Sequence, residues 1–492
     1  MRIGIIFLGW ICFQTAFSKE YQVGPTREFK KLQDITNSLK PGDVVSVDGG
    51  VTYPCGVSFD VSGTENNRIT IQGIKEKGKR PLLTGNTRLC MDITANYLTL
   101  KGFEITGGTK AAIGHYAHEI VISDFKIHDV PRNGILGYGS NSGSLTLEYT
   151  EIYNSGWSAG TPYAHQIYMA TDEKAYPNAV FRMQYCYLHS GNGGNNVKTR
   201  AGRNEFYYNW LETSAFHTLE LIGPDAEDNS GVNESTKRED SDIVGNVILC
   251  QTNMACARIG GDGTGQTKGR YRFVNNTFVL QGKGDAIRMY DGVESIELHN
   301  NVFFNKLNTG TITIIDEDDG NWVNGRVVGG GNNWIQSGAA NIPSSTELLK
   351  TIKGDDPGFV DGANNNFNLA LGSKLIGGGK ASPPTISAHP FLNPLLIPVF
   401  QPEEKSVPDE GKQKTRLNGV SMDIGAYEYL KKVSIQRSYR KNQIIPVAPQ
   451  AIFNVLGQKQ KVNYSRFIII EVGRTTPSTV PLIKKTPEML SE

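Results

Sequence analysis

Six short segments of the chain alternate apolar and polar residues with the period of a β-strand, and their polar positions fall into one file. The apolar pairs are Ile167/Met169, Val197/Thr199, Leu219/Leu221, Ala257/Ile259, Ile287/Met289 and Ile312/Ile314. Between them stand Tyr168, Lys198, Glu220, Arg258, Arg288 and Thr313. Side chains alternate faces along a strand, so stacking these strands on their apolar residues aligns the outward ones about 4.8 Å apart. Arg200 and Tyr290 take second outward positions. A row of cations and rings suits a chain of acidic sugars, whose carboxylates accept guanidinium forks and whose faces stack on aromatic rings. The matching chemistry is β-elimination. A base removes the proton α to a uronate carboxylate, a cation neutralises that carboxylate, and an acid assists the departing oxygen. Lys198, with Arg200 two residues on, is the expected base, because a lysine beside another cation gives up its proton more readily. Arg258 is the expected carboxylate ligand, and Tyr168, His165 or His189 the expected acid. Arg200, Glu220, Arg288 and Tyr290 complete the expected substrate contacts. The purely structural reading makes Lys198, Glu220, Arg258 and Arg288 a cross-strand ion-pair ladder, worth under about 1 kcal/mol per exposed pair.

These strands belong to a longer series. Asn246-Val247-Ile248, Asn275-Asn276-Thr277-Phe278, Asn300-Asn301-Val302-Phe303 and Asn332-Asn333-Trp334 each place Asn, one further residue or two, and then an apolar residue. Phe103-Glu104-Ile105, Phe125-Lys126-Ile127, Thr150-Glu151-Ile152, Cys186-Tyr187-Leu188 and Asn209-Trp210-Leu211 are earlier members. The recurrence falls in the window of solenoid repeats. Asn suits a tight turn that visits the left-handed region, and stacked amides can hydrogen-bond from coil to coil. The expected fold is all-β: one right-handed parallel β-helix with variable loops, running continuously over about 43–430. Phe29, Leu32, Ile35 and Leu39 have helical spacing and stop at Pro41-Gly42, predicting a capping helix over 29–39.

The ends and composition bound the rest. Arg2 precedes an apolar run from Ile3 to Phe17 that closes on Ala16-Phe17-Ser18, predicting a signal peptide cleaved after Ser18 and an exported chain, secreted or on the cell surface. With 55 Gly, 22 Pro and a net charge of +1, bulk electrostatics indicate no nucleic-acid partner. Cys12 leaves with the leader. Cys55, Cys90, Cys186, Cys250 and Cys256 are read mostly as buried thiols, with one Cys250–Cys256 or Cys55–Cys90 bridge.

The opening, from the predicted helix through Gly49-Gly50-Val51-Thr52-Tyr53 to Ser62-Gly63-Thr64 and Ile69-Thr70-Ile71, resembles β-helix polysaccharide lyases of the alginate lyase and chondroitinase B type. Asp356-Pro357-Gly358-Phe359, Phe367-Asn368-Leu369, Gly372-Ser373 and Asp423-Ile424-Gly425-Ala426-Tyr427-Glu428 resemble the closing segment of bacterial β-helix proteins. The resemblance covers about 25–430 and implies the fold. Asn195-Asn196-Val197-Lys198-Thr199 resembles that family's lysine strand, which implies the base role for Lys198 and an acidic polysaccharide as substrate. Gly193 stands where the family has a calcium-binding Glu, and Leu221-Ile222-Gly223 where it has an Arg-His pair. Past Tyr429, a basic linker over 431–445 leads to Ala451-Ile452-Phe453-Asn454-Val455-Leu456-Gly457-Gln458-Lys459. That run, in a module over 446–492, is similar to the C-terminal sorting domain of type IX secretion and implies that machinery as a partner of a monomer.

Ca²⁺ is the one cofactor the sequence raises. Asp225 to Asp242 and Asp316-Glu317-Asp318-Asp319-Gly320 are oxygen-rich, but neither has EF-hand spacing and both read as solvated loops. His217 and His299 read as structural. Glu220 with Asp262 is the carboxylate pair near the file that a glycoside hydrolase would use. Non-catalytic glycan binding is the third class open to such a scaffold.

Overall fold

The asparagines behave as a repeat that has to close a coil every few tens of residues. In a computed structural model the described residues are 18–137, 139–157, 163–224, 239–251, 253–262, 267–318, 322–391, 393–417 and 421–429. Among them, three long parallel sheets of thirteen, twelve and ten strands run the length of the molecule, and each coil visits the three in that order. This is a parallel β-helix. The expected signal peptide, apart from Ser18, and the expected linker and sorting-like module lie outside the described residues.

The turn between the thirteen- and twelve-stranded sheets shows why Asn recurs. Asn275, Asn300 and Asn332 adopt φ of 53°, 55° and 55°, the left-handed conformation this residue tolerates. The following residues form a buried amide ladder. Asn209 Nδ2 donates to Asn246 Oδ1 at 2.9 Å, Asn246 to Asn276 at 3.0 Å, Asn276 to Asn301 at 3.1 Å and Asn301 to Asn333 at 3.1 Å. Each amide also donates to a carbonyl one coil back, as Asn276 does to Ile243 O at 2.7 Å. Polar groups so deeply buried need such complete pairing. Inside the coils, aliphatic and aromatic residues form one continuous core, with Phe278 and Phe303 stacked 4.9 Å apart.

Several expectations change. The segment 29–39 forms two short 3-10 turns, Leu32–Asp34 and Thr36–Ser38, in place of a helix. The Asp34 carboxylate accepts the backbone N–H groups of Lys30 and Lys31 at 3.0 and 3.1 Å, which turns the chain before a longer helix forms. Leu32, Ile35 and Leu39 still enter the core beside Val57 and Phe59. The coils stop at Ile352–Gly354, well short of 430. Beyond them an antiparallel pair, Phe359–Asp361 with Asn366–Leu369, leads into an extended segment that lies along the coils. Phe367, Ala426 and Tyr427 cover Trp210, Val247 and Val279 of the twelve-stranded sheet. Phe391 stacks 4.1 Å from the Arg272 guanidinium of the thirteen-stranded sheet.

The cysteines, read mostly as buried thiols with one bridge, form two. Cys55 and Cys90 meet across successive coils at Cα–Cα 4.3 Å, Cys250 and Cys256 across a short turn at 4.9 Å, and Cys186 is the buried free thiol. The acidic insertion is ordered at its end. Asp240–Val244 is a strand whose Asp240 and Asp242 pair with Arg270 at 2.6 Å and with Arg203 and Arg272 at 2.5 Å. Residues 225–238 lie outside the described residues.

Candidate functional site

The ten-stranded sheet carries the file. Tyr168, Lys198, Glu220, Arg258 and Arg288 pair in unbroken register on successive strands. Ile167/Met169, Val197/Thr199, Leu219/Leu221, Ala257/Ile259 and Ile287/Met289 point inward and are fully buried. The file's last member is Asp316, since Arg288 pairs with Asp316 while Thr313 pairs with Asp285. The run Ile312-Thr313-Ile314-Ile315 offers two inward frames, and a shift between them exchanges the outward residue. Toward the N-terminus the file continues through Leu136, which pairs with Tyr168. There Leu89, Ala111 and Leu136 make an apolar patch bordered by Tyr116 and Tyr168.

Lys198 is the centre of the site. Its ammonium lies 3.7 Å from Glu220 Oε2, 4.0 Å from Asp262 Oδ2 and 5.6 Å from the centre of the Tyr168 ring. Both carboxylates are therefore outside hydrogen-bond distance of Nζ. The side chain keeps 18% of its exposure. Its expected cationic neighbour is tied elsewhere. Arg200 is buried and donates from Nη2 to Asp262 Oδ2 at 2.5 Å, so the groups closest to Lys198 are anions.

Glu220 bridges Lys198 and Arg258, with Oε1 3.8 Å from Arg258 Nε and Oε2 accepting from Asn195 Nδ2. Burial favours its neutral form, but Lys198, Arg258, His165 and His217 outweigh that and hold its carboxyl below the ordinary value. Arg258 departs from its expected role. Its guanidinium is 6% exposed, donates to the Gly260 and Gly261 carbonyls at 2.8 Å each, and lies 4.1 Å over the Tyr290 ring. It holds the floor together and offers no open fork. Tyr290, the more exposed of the two, stacks on it. Arg288 is committed to Asp285 at 2.5 Å and faces Asp316 at 3.5 Å, and these carboxylates raise its pKa against the opposing effect of burial.

The imidazoles separate clearly. His165 lies beside Tyr168 with ring centres 5.7 Å apart, and its Nδ1 accepts the Asn195 N–H at 3.0 Å. Burial lowers its pKa to about 4, so it is neutral near pH 7 with its proton on Nε2. His217, read as structural from sequence, lies close to Glu220, accepts the Ala255 N–H at 3.1 Å and is likewise lowered to about 4 by burial. His189 is excluded by position. It belongs to the twelve-stranded sheet, stacked on Tyr153 and Tyr187 with Nε2 3.3 Å from Glu151.

Sequence reasoning missed Asn195 and His217, although both have a signal. His165, Asn195, His217 and Asp285 each stand two residues before their strand's first inward residue, a second file in the same frame. Arg132 and Trp157, which also flank this face, sit in loops of unequal length and carry no such periodicity. As for Ca²⁺, no group of three or more His, Cys, Asp or Glu is arranged to hold a metal among the described residues. The carboxylates of the site are already opposed by Lys198, Arg200, Arg258 and Arg288, so the residues present do not fit that ion. Asp316 and Glu317 are likewise paired, with Arg288 and Arg326.

The sequence matches no family model and no curated protein. Solved structures do match. The pectate lyase Pel9A aligns over 84% of this chain and 97% of its own, with a TM-score of 0.54 and 14% identity. A polysaccharide lyase of the PL6 family from Pseudopedobacter saltans aligns over 72% and 97%, at 0.42 and 16%. XylC, solved with xylose, aligns over 69% and 86%, at 0.43 and 11%. At such identities the likeness to Pel9A is one of fold, and it agrees with the three sheets traced above: the chain is a parallel β-helix protein.

Proposed function

We propose that this is an exported polysaccharide lyase that cleaves a uronate-containing chain by β-elimination on the ten-stranded sheet. The observation that carries the reading is Lys198: a partly exposed amine in the middle of a strand-to-strand file, near two carboxylates but hydrogen-bonded to neither. The other sheets support it indirectly, since the C-terminal segment packs on both of them. The solved likeness to a pectate lyase adds a scaffold on which that chemistry is found.

In this reading Lys198, as the neutral amine, takes the proton α to the uronate carboxylate. The C–H electron pair becomes the new C=C bond, and the glycosidic C–O bond breaks with its electrons passing to the oxygen. Tyr168 or His165 Nε2–H delivers a proton to that oxygen. Glu220 and Asp262 hold Lys198 over the track, and Glu220 with Asn195 fixes the floor. Arg258 acts from below as a positioning residue.

A second reading rests on the same geometry. Glu220, on the adjoining strand, and Asp262, just beyond the strand Ala255–Ile259, converge on Lys198 and would be the acid and base of a hydrolase. Incubation with a panel of uronate and neutral polymers separates the readings. The lyase yields products absorbing as unsaturated uronates. Release of reducing ends without that absorbance supports the hydrolase, and binding without cleavage supports a glycan-binding module.

A further inference from the structure

The cations that sequence placed on the track are mostly spoken for: Arg200 by Asp262, Arg258 by two carbonyls, Arg288 by Asp285. Arg132 is different. Among the described residues it forms no ion pair, and its sheltered Nε has no hydrogen-bond partner. Its guanidinium lies over the indole of Trp157, 4.6 Å from the ring centre. Trp157 is 59% exposed, an unusual state for the largest apolar side chain.

The placement of this pair relative to Lys198 follows from the register. Arg132 immediately precedes the strand Asn133–Gly137, and Trp157 lies in the connection leading to Ile167–Ala170. Both loops run from the twelve- to the ten-stranded sheet, on the edge that also carries His165 and Asn195. The strand after Arg132 pairs with the strand of Tyr168, and that one with the strand of Lys198. Two strand spacings, about 10 Å along the stack, and four residues along the strand from Leu136, about 13 Å toward the sheet edge, therefore separate Arg132 from the proposed base. Between them lies the apolar floor of Leu136 with Tyr116 and Tyr168.

We infer that Arg132, held on Trp157, is a carboxylate-binding subsite that recognises an acidic sugar residue on the N-terminal side of Lys198. A planar guanidinium matches a carboxylate with two parallel hydrogen bonds, and stacking on an indole fixes its plane without using its donors. The exposed indole face supplies apolar contact for a sugar ring. The inference rests on the reading of the substrate as an acidic glycan, but not on any catalytic step.

Calorimetric titration of the Lys198→Ala protein, in which turnover is not required, tests it. The probes are oligogalacturonate and oligoalginate, with a xylo-oligosaccharide as the neutral control. Adding Arg132→Gln should weaken acidic-oligosaccharide binding by about tenfold or more and flatten its salt dependence, leaving the neutral control unchanged. Trp157→Ala should weaken acidic binding as well, because the guanidinium loses its support. Equal acidic affinity with and without Arg132→Gln would overturn the inference. So would equal losses for acidic and neutral probes, or no acidic binding at all. Acidic binding that depends on Arg132 in a wild-type protein yielding no unsaturated product would support the subsite and overturn the lyase reading alone.

Discussion

Replacing Lys198 by Ala separates a catalytic amine from a ladder rung, because the geometry makes the two roles predict different things. Its ion pairs, at 3.7 Å to Glu220 and 4.0 Å to Asp262, each amount to about 4 kcal/mol of attraction at an effective dielectric near 20. Desolvation offsets most of this, several kcal/mol per ion, so the net value of the lysine to folding is on the order of 1 kcal/mol. Its loss also strands no charge. Glu220 keeps Arg258 at 3.8 Å and the Asn195 amide, and Asp262 keeps Arg200 at 2.5 Å. Lys198→Ala should therefore lower the melting temperature by at most about 3 °C. Turnover on a responsive uronate polymer should fall on the order of 10²-fold or more, the scale of a lost general base. The assay is initial-rate formation of unsaturated product alongside a calorimetric melt. Undiminished activity refutes the assignment. A loss of several kcal/mol in stability would instead show that the file's integrity, and not proton transfer, had been removed.

Other consequences are equally specific. Arg258→Ala should behave as a stability variant, costing about 3 kcal/mol or more in a denaturant melt, since it leaves the Gly260 and Gly261 carbonyls and one side of Glu220 unpartnered. Asn276→Ala removes the acceptor for the Asn246 N–H and the donor to Ile243 O inside the ladder, and should cost a similar amount by the same assay. His115, His165 and His217 are each lowered by burial to about 4, so below the ordinary imidazole range the unfolded chain binds protons that the folded chain does not. Stability should be full above about pH 6.5 and fall as pH drops toward 4, by up to about 3 kcal/mol for a fully buried imidazole. Melts across that range check it, and His115→Phe should reduce the slope.

The amino-acid sequence determined the coil and most of one file on it. Alternation has a period of two, so inward residues such as Val197 and Leu219 declare their outward neighbours Lys198 and Glu220 without any knowledge of loops. The left-handed turn restricts its residue strongly, so Asn275, Asn300 and Asn332 announced the coil boundaries, and the ladder of Asn246, Asn276, Asn301 and Asn333 followed. Only the tertiary structure decided what the charged residues do. A cation's availability depends on which carboxylate or carbonyl reaches it from another coil, as Asp262 reaches Arg200 from 62 residues away, and no local pattern encodes that approach. The same limit hid the end of the coils, where a hairpin and an extended segment replace another turn of helix. It also misplaced the last rung, because Ile312 to Ile315 satisfies both frames and only pairing with Ile287 selects between them. Arg132 and Trp157 became neighbours for the same reason: stacked coils bring together loops whose lengths differ, and contact between such loops is a property of the stack rather than of either segment.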